Sequence, residues 1–151
     1  MDLGISGRRA AVAAGSSGLG LGAAKALAAE GALVAICGRD RARLDAAAAE
    51  VDEIGVCVAI NADVGSPDGA AGFVDAATAA LGGLDILVPN AGGPPPGTFA
   101  STPVDAYPAA IDLNLMSVVA MCKAAVPPMQ AQGWGRVVAV SYTHLTLPTT
   151  L

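Results

Sequence analysis

The stretch Arg9-Ala10-Ala11-Val12-Ala13-Ala14-Gly15-Ser16-Ser17-Gly18-Leu19-Gly20 decides the fold. It begins as a short apolar run of strand length. It then turns through three glycines and two serines and opens into the Ala/Leu-rich residues 19–30, closed by the helix-stop signal Gly31. Glycines at such a strand-to-helix turn let the backbone bend tightly and approach a ligand closely. A helix that starts there offers unpaired N–H groups and the positive end of its dipole. Ser16 and Ser17 add hydroxyl donors. The arrangement is that of a cradle for a pyrophosphate, with Gly15, Ser16, Ser17, Gly18, Leu19 and Gly20 as its residues.

Outward from this turn, strand and helix signals alternate. Apolar runs at 33–37, 56–60, 84–88 and 136–140 predict four more strands. Residues 42–54 carry Leu44, Ala47, Ala48, Val51 and Ile54 at helical spacing. Residues 66–81 predict a helix with Ser66 as N-cap and Pro67 in its first turn. Residues 89–103 read as a loop, and 104–132 as a helix in two pieces whose last turn Pro127 and Pro128 should disturb. The strands are continuous apolar runs, not alternating ones. Strands covered on both faces require this, so the class is α/β: a doubly wound parallel sheet between helix layers, with the five strands in the order 3-2-1-4-5.

Composition narrows the function. The chain has 151 residues, 54% of them hydrophobic and 14% charged, with a net charge of −5. It is too apolar for a disordered segment. It shows no basic patch for nucleic acid, and its N-terminus has no apolar leader. No uninterrupted apolar run reaches the ~18–20 residues of a membrane span. The three cysteines (Cys37, Cys57 and Cys122) are scattered and read as small buried apolar side chains. The sole histidine, His144, gives no metal site. A reducing, cytoplasmic setting is expected, with a small-molecule ligand and neither nucleic acid nor membrane as partner.

Four motifs in order carry a family resemblance. The cradle resembles the Thr-Gly-x-x-x-Gly-x-Gly of the short-chain dehydrogenase/reductase family. Aligned on Gly18 and Gly20, Ala13 falls on the Thr and Ala14 on the first Gly, with Gly15 one place late. Asp63-Val64 after the third strand is similar to the family's pair beside the adenine ring, though Asp63 could instead cap the next turn. Pro89-Asn90-Ala91-Gly92 resembles Asn-Asn-Ala-Gly, and Asn114-Leu115 resembles the family's helix Asn-Leu pair. The loop 91–98 is similar to a subgroup labelled 3-oxoacyl-carrier-protein-reductase-like. The resemblance implies a Rossmann-type domain and an NAD(P)-dependent oxidoreductase of a small carbonyl or alcohol, homo-oligomeric as a whole protein. It also implies cofactor contacts from the cradle, Asp63, Val64, Asn90, Ala91 and Gly92. At the end of the second strand, Gly38 holds the slot of the acidic residue that binds the ribose of NAD, and Arg39 follows it. This is the pattern for the 2′-phosphate of NADP. Asp40 reaching the ribose of NAD, or a merely solvated turn, are the alternatives.

The resemblance further implies a catalytic Ser and a Tyr-x-x-x-Lys, with Asn114 supporting a proton-relay water. Ser141 is the first member of the expected Ser pair and Tyr142 occupies the catalytic slot, so Ser141 serves only through a one-residue shift. Tyr107 is followed by Ile111 and Tyr142 by Thr146, so neither begins a Tyr-x-x-x-Lys. The closing Ser141-Tyr142-Thr143-His144-Leu145-Thr146-Leu147 and beyond resembles translated sequencing-adapter read-through. The expected organisation is therefore a nucleotide-binding domain at 1–141, incomplete on its C-terminal side, and a foreign or disordered tail at 142–151. The expected activity is carbonyl reduction or alcohol oxidation by the parent protein. The alternative is a non-catalytic nucleotide-binding fragment or pseudoenzyme.

Overall fold

A computed structural model describes residues 2–93 and 95–140. Ser141, Tyr142 and the expected boundary at 141/142 lie outside the described residues. Five parallel strands form one sheet: β1 (Arg9–Val12), β2 (Leu33–Gly38), β3 (Cys57–Asn61), β4 (Ile86–Val88) and β5 (Arg136–Val137). Their order is β3-β2-β1-β4-β5, as the continuous apolar runs predict. The register places Ala11 between Ala35 and Leu87.

Burial on both faces shows why the strands are apolar throughout. Ala11, Ala35, Cys37 and Leu87 face one layer, with Phe73, Val74, Met121 and Ala125. Ala10, Val12, Val34, Ile36 and Ile86 face the other, with Ala24, Ala28, Leu44 and Val51. The helices α1 (Gly18–Ala29) and α2 (Arg41–Asp52) cover the second face, and α3 (Pro67–Leu81) and α5 (Ser117–Ala131) the first. Ala24 and Ala28 of α1 are buried at 0 and 3% exposure, so small side chains let this helix lie close on the sheet. The α3 boundary follows its sequence signals: the Ser66 side chain accepts from Gly69 N–H, and Pro67 sits in the first turn.

The segment after the proline loop is helical in pieces, as expected, but its irregularity falls elsewhere than at the prolines. Residues 104–131 run as a 3-10 turn (Val104–Ala106), α4 (Tyr107–Ile111), a π turn (Asp112–Met116) and α5. Pro127 and Pro128 do not end the helix, which continues to Ala131. Both prolines are exposed, so the carbonyls one turn earlier that lose a donor can bond to water. The irregularity lies instead at the π turn. There the Asn114 side-chain amide donates to the Ala110 carbonyl, and the Ser117 hydroxyl donates to that of Leu113. Residues 104–131 are also long and apolar enough to cross a membrane by length and composition alone. Only 17% of their most apolar stretch is buried, and Met121, Ala125 and Met129 are packed on the sheet.

Beyond β1 the ladder continues through Ala13 N–H to the Val88 carbonyl and Gly15 N–H to the Cys37 carbonyl. Between them Ala14 adopts φ +49°, among the described residues the only non-glycine in the left-handed region. Gly15 is needed for space: a Cβ there would lie 2.7 Å from Ile36 Cβ. Gly20 is tighter still, since a Cβ there would overlap the Ala14 carbonyl. The alignment of Ala14 with the family's first glycine is thus matched by its backbone, and Gly15 does a different job.

At the other end of the sheet, Asp85 is buried at 2% exposure. It accepts from Arg9 Nε at 2.7 Å, Arg9 Nη2 at 2.9 Å, the Arg9 backbone N–H at 2.9 Å and Gln132 Nε2 at 3.2 Å. The hydrogen bond from the Arg9 side chain holds the Asp85 carboxyl below its ordinary value despite its burial. Arg8 and Arg136 stack over the ring of Trp134, at 3.9 and 4.8 Å from its centroid.

Two outcomes follow. Because Asp85 is depressed in the folded state, its contribution is fully present above the unfolded carboxylate pKa of about 3.9 and is lost as pH falls through the lower folded value. Asp85→Ala is expected to cost about 3 kcal/mol at neutral pH, because it leaves Arg9 without its counter-charge and with only the Gly82 carbonyl and Gln132 as partners. The difference from wild type should shrink below pH 4 in urea titrations; a pH-independent difference would refute the ion-pair account. Ala14→Gly is expected to raise stability by about 0.5–1 kcal/mol, as relief of the left-handed cost outweighs the added unfolded-state entropy. Denaturant unfolding of Ala14→Gly measures this, and a loss of stability would contradict it.

Candidate cofactor site

The C-terminal ends of β1 to β4 and the start of α1 enclose a cleft of about 250 Å³. The parallel topology places every βα turn on this rim, where open α/β sheets bind ligands. Ala14, Ser16 and Ser17 form one wall, and Gly38, Arg39, Asp40 and Arg43 a second. Ala62, Asp63 and Val64 form a third, with Gly92 and Leu113 closing the far side.

Ser17 is the N-cap of α1, with extended backbone and no side-chain cap bond. Its hydroxyl and the first N–H groups of α1 are therefore available to an anion. Gly18 has φ +55°, and a Cβ there would meet nothing within 4 Å, so it leaves open space over the helix start. Leu19 is 59% exposed beside it and does not line the cleft. Gly15 and Gly20 lie beneath, shaping the turn. The Asn90 side-chain nitrogen would lie 3.1 Å from a Cβ at Gly20, which ties the turn after β4 to the cradle. Ala91 packs against the core, and Gly92 faces the Arg39 guanidinium across the cleft.

Arg39 lines the cleft together with Arg43, one turn into α2, which residue spacing alone did not mark. Asp40 is the N-cap of α2: its carboxylate accepts from Arg43 N–H at 2.9 Å. Asp63 lines the cleft and caps the following turn by accepting from Gly65 N–H at 2.8 Å. Asn61, also missed, donates to the carbonyls of Gly38 and Arg39 at 3.0 and 3.1 Å and fixes the turn that presents Arg39. Its signal was positional, because Asn61 ends β3 directly opposite Gly38. Cys37 forms part of the floor; burial pushes its thiol up to about 12, so it is a neutral small side chain and not a nucleophile.

Asn114 lies in the π turn next to Leu113. Its Nδ2 is engaged by the Ala110 carbonyl, and its Oδ1 has no hydrogen-bond partner among the described residues. Ser141 cannot be placed relative to it. The donor set suits a dinucleotide phosphate: hydroxyls and a free helix start at one wall, two guanidiniums at the next, and open glycines between.

Comparison with known proteins agrees with this geometry. The family profile described as short chain dehydrogenase matches residues 8–148. The D-beta-hydroxybutyrate dehydrogenase of Cupriavidus necator is 36% identical over 143 residues, covering 93% of this chain and 55% of that protein. The structure of L-sorbose reductase from Gluconobacter frateurii with NADPH and L-sorbose superposes with a TM-score of 0.84 at 33% identity, covering 92% of this chain and 54% of that one. A short chain dehydrogenase from Burkholderia cenocepacia in complex with NADP gives a TM-score of 0.82 at 34% identity, over 92% and 57%. The chain spans about half the length of the curated relatives it matches. Cradle, sheet order and sequence similarity together place the chain in the short-chain dehydrogenase/reductase family of oxidoreductases.

Proposed function

We propose that the cleft binds NADP in preference to NAD, and that the whole protein is a carbonyl reductase or alcohol dehydrogenase acting on a small molecule. The observation that carries the reading is the second wall of the cleft. Arg39 and Arg43 both line it, Ser16 opens onto the same space, and of the two carboxylates in the cleft wall Asp40 accepts from Arg43 N–H at the start of α2 and Asp63 from Gly65 N–H. A 2′-phosphate would be met by two guanidiniums, whereas a ribose 2′-hydroxyl would find at the β2 terminus only Asp40, one of whose oxygens already accepts from Arg43 N–H. The complexes of two similar structures with NADPH and NADP support the same reading.

When bound, the nicotinamide supplies or accepts the hydride. The chain's own residues have simpler duties. The α1 N-terminus with Ser16 and Ser17 would hold the pyrophosphate. Asp63 and Val64 would lie beside the adenine. Asn90, Ala91 and Gly92 would leave room for the nicotinamide half. Asn114, whose oxygen has no partner among the described residues, would be free to hold a water for proton relay. A proton donor at the reacting carbonyl calls for a tyrosine and its lysine, and the sequence contains no Tyr-x-x-x-Lys. That favours a second reading for this chain by itself: nucleotide binding without turnover. The outer side of residues 104–119 exposes Val104, Ile111, Leu115 and Val119. A homo-oligomer contact in the whole protein would cover them.

Calorimetric titration tests the cofactor reading. Arg39→Ala and Arg43→Ala are each expected to weaken NADP binding about tenfold, equivalent to losing one phosphate contact of ~1.4 kcal/mol, with NAD affinity nearly unchanged. Equal losses for both nucleotides would remove the arginines from the 2′-phosphate site. NADPH oxidation by this chain with a ketone panel is expected to stay at the buffer blank; turnover above it would overturn the non-catalytic reading.

A further inference from the structure

A second, larger cavity of about 940 Å³ lies between the proline loop and the start of the long helical segment. We propose that it receives the body of the carbonyl substrate, and that it selects uncharged aryl or medium-length alkyl ketones over keto acids. The proposal rests on the cofactor reading of the adjoining cleft.

Continuity comes first. Leu113 lines both spaces, and the loop that walls the cavity descends directly from Asn90-Ala91-Gly92. The two spaces therefore adjoin at a single side chain, which in the cleft lies on the same side as Gly92. Asn114 follows Leu113, and its amide is held by Ala110, which itself lines the cavity. The volume lies within the ~300–1,000 Å³ range of small-molecule sites.

The chemistry of the walls sets the class. Pro95, Pro96, Phe99, Ala106 and Leu113 supply apolar surface. Among the described lining residues none carries a charge, so a carboxylate would enter without a counter-ion. The hydroxyls at the rim are already engaged: Thr98 donates to Ser101, and Thr102 donates to the Thr98 carbonyl at 2.7 Å. Tyr107 is the exception. Its hydroxyl has no partner among the described residues, so of the lining hydroxyls it is the one left free to donate to a ligand. Phe99 is 92% exposed, an aromatic ring at the cavity with nothing over it. An aryl or alkyl body in the cavity would cover it.

The test is binding to the chain itself in saturating NADP. Ligand-observed NMR and calorimetry would compare 4-phenylbutan-2-one with the keto acid 4-oxo-4-phenylbutanoate. The neutral ketone is expected to bind at least about tenfold more tightly. Ala106→Trp, a change at an exposed wall position, should abolish that binding while NADP affinity stays within about twofold. Ala110→Phe fills the cavity from a second position and should do the same. The proposal fails if the keto acid binds as well as the ketone, or if both cavity-filling variants leave ketone affinity intact. The nucleotide titrations keep the two readings apart. Ketone binding with no NADP preference overturns the cofactor assignment alone. NADP binding with no ketone discrimination overturns the cavity assignment alone.

Discussion

The structure hinges on one steric constraint, the approach of the Ala14 carbonyl to the start of α1. Only a residue without a Cβ at Gly20 lets the helix begin so close to the strand, and only a residue without a Cβ at Gly15 lets the turn pass over Ile36. Once that approach is made, α1 points its first N–H groups over the sheet edge and its alanines onto Val12 and Ile36. The anion site and one of the two core layers are thus consequences of the same contact. Ala14 bears the conformational cost by taking a left-handed backbone that glycine would take freely.

Much of this was legible in the sequence because the physics is local or periodic. Ala10 to Ala13 and Val34 to Cys37 read as doubly covered strands because both sets of alternating side chains are apolar, and the two clusters show both faces filled. Ser66-Pro67 marked a helix start because an N-cap hydroxyl and a fixed proline φ act within one turn. The cradle was readable for the same reason, down to the placing of Ala14.

What stayed illegible depends on distance across the fold. Arg43 joins the cleft because the β2–α2 turn, pinned by Asn61, aims the first turn of α2 back at it, and no spacing rule carries that information. Pro127 and Pro128 were expected to disturb the last turn of the 104–132 helix, but their penalty depends on whether the orphaned carbonyls meet water, and here they can. The π turn at Asn114 arises from side chains bonding back to carbonyls one turn earlier, a competition that residue propensities do not resolve. The catalytic serine expected near Ser141 is a matter of sequence alone.

The stacking of Arg8 and Arg136 on Trp134 has an optical consequence. Trp134 is the sole tryptophan, and it precedes β5, at the pole of the sheet opposite the cofactor cleft. Its emission therefore reports whether two guanidiniums are held against the indole, and hence whether the starts of β1 and β5 are held in place on either side of β4. Nucleotide entering at the far rim touches none of these groups. The chain thus carries a built-in fluorophore for the integrity of its scaffold, spatially separate from the nicotinamide, whose own fluorescence in the reduced form would report the occupied cleft.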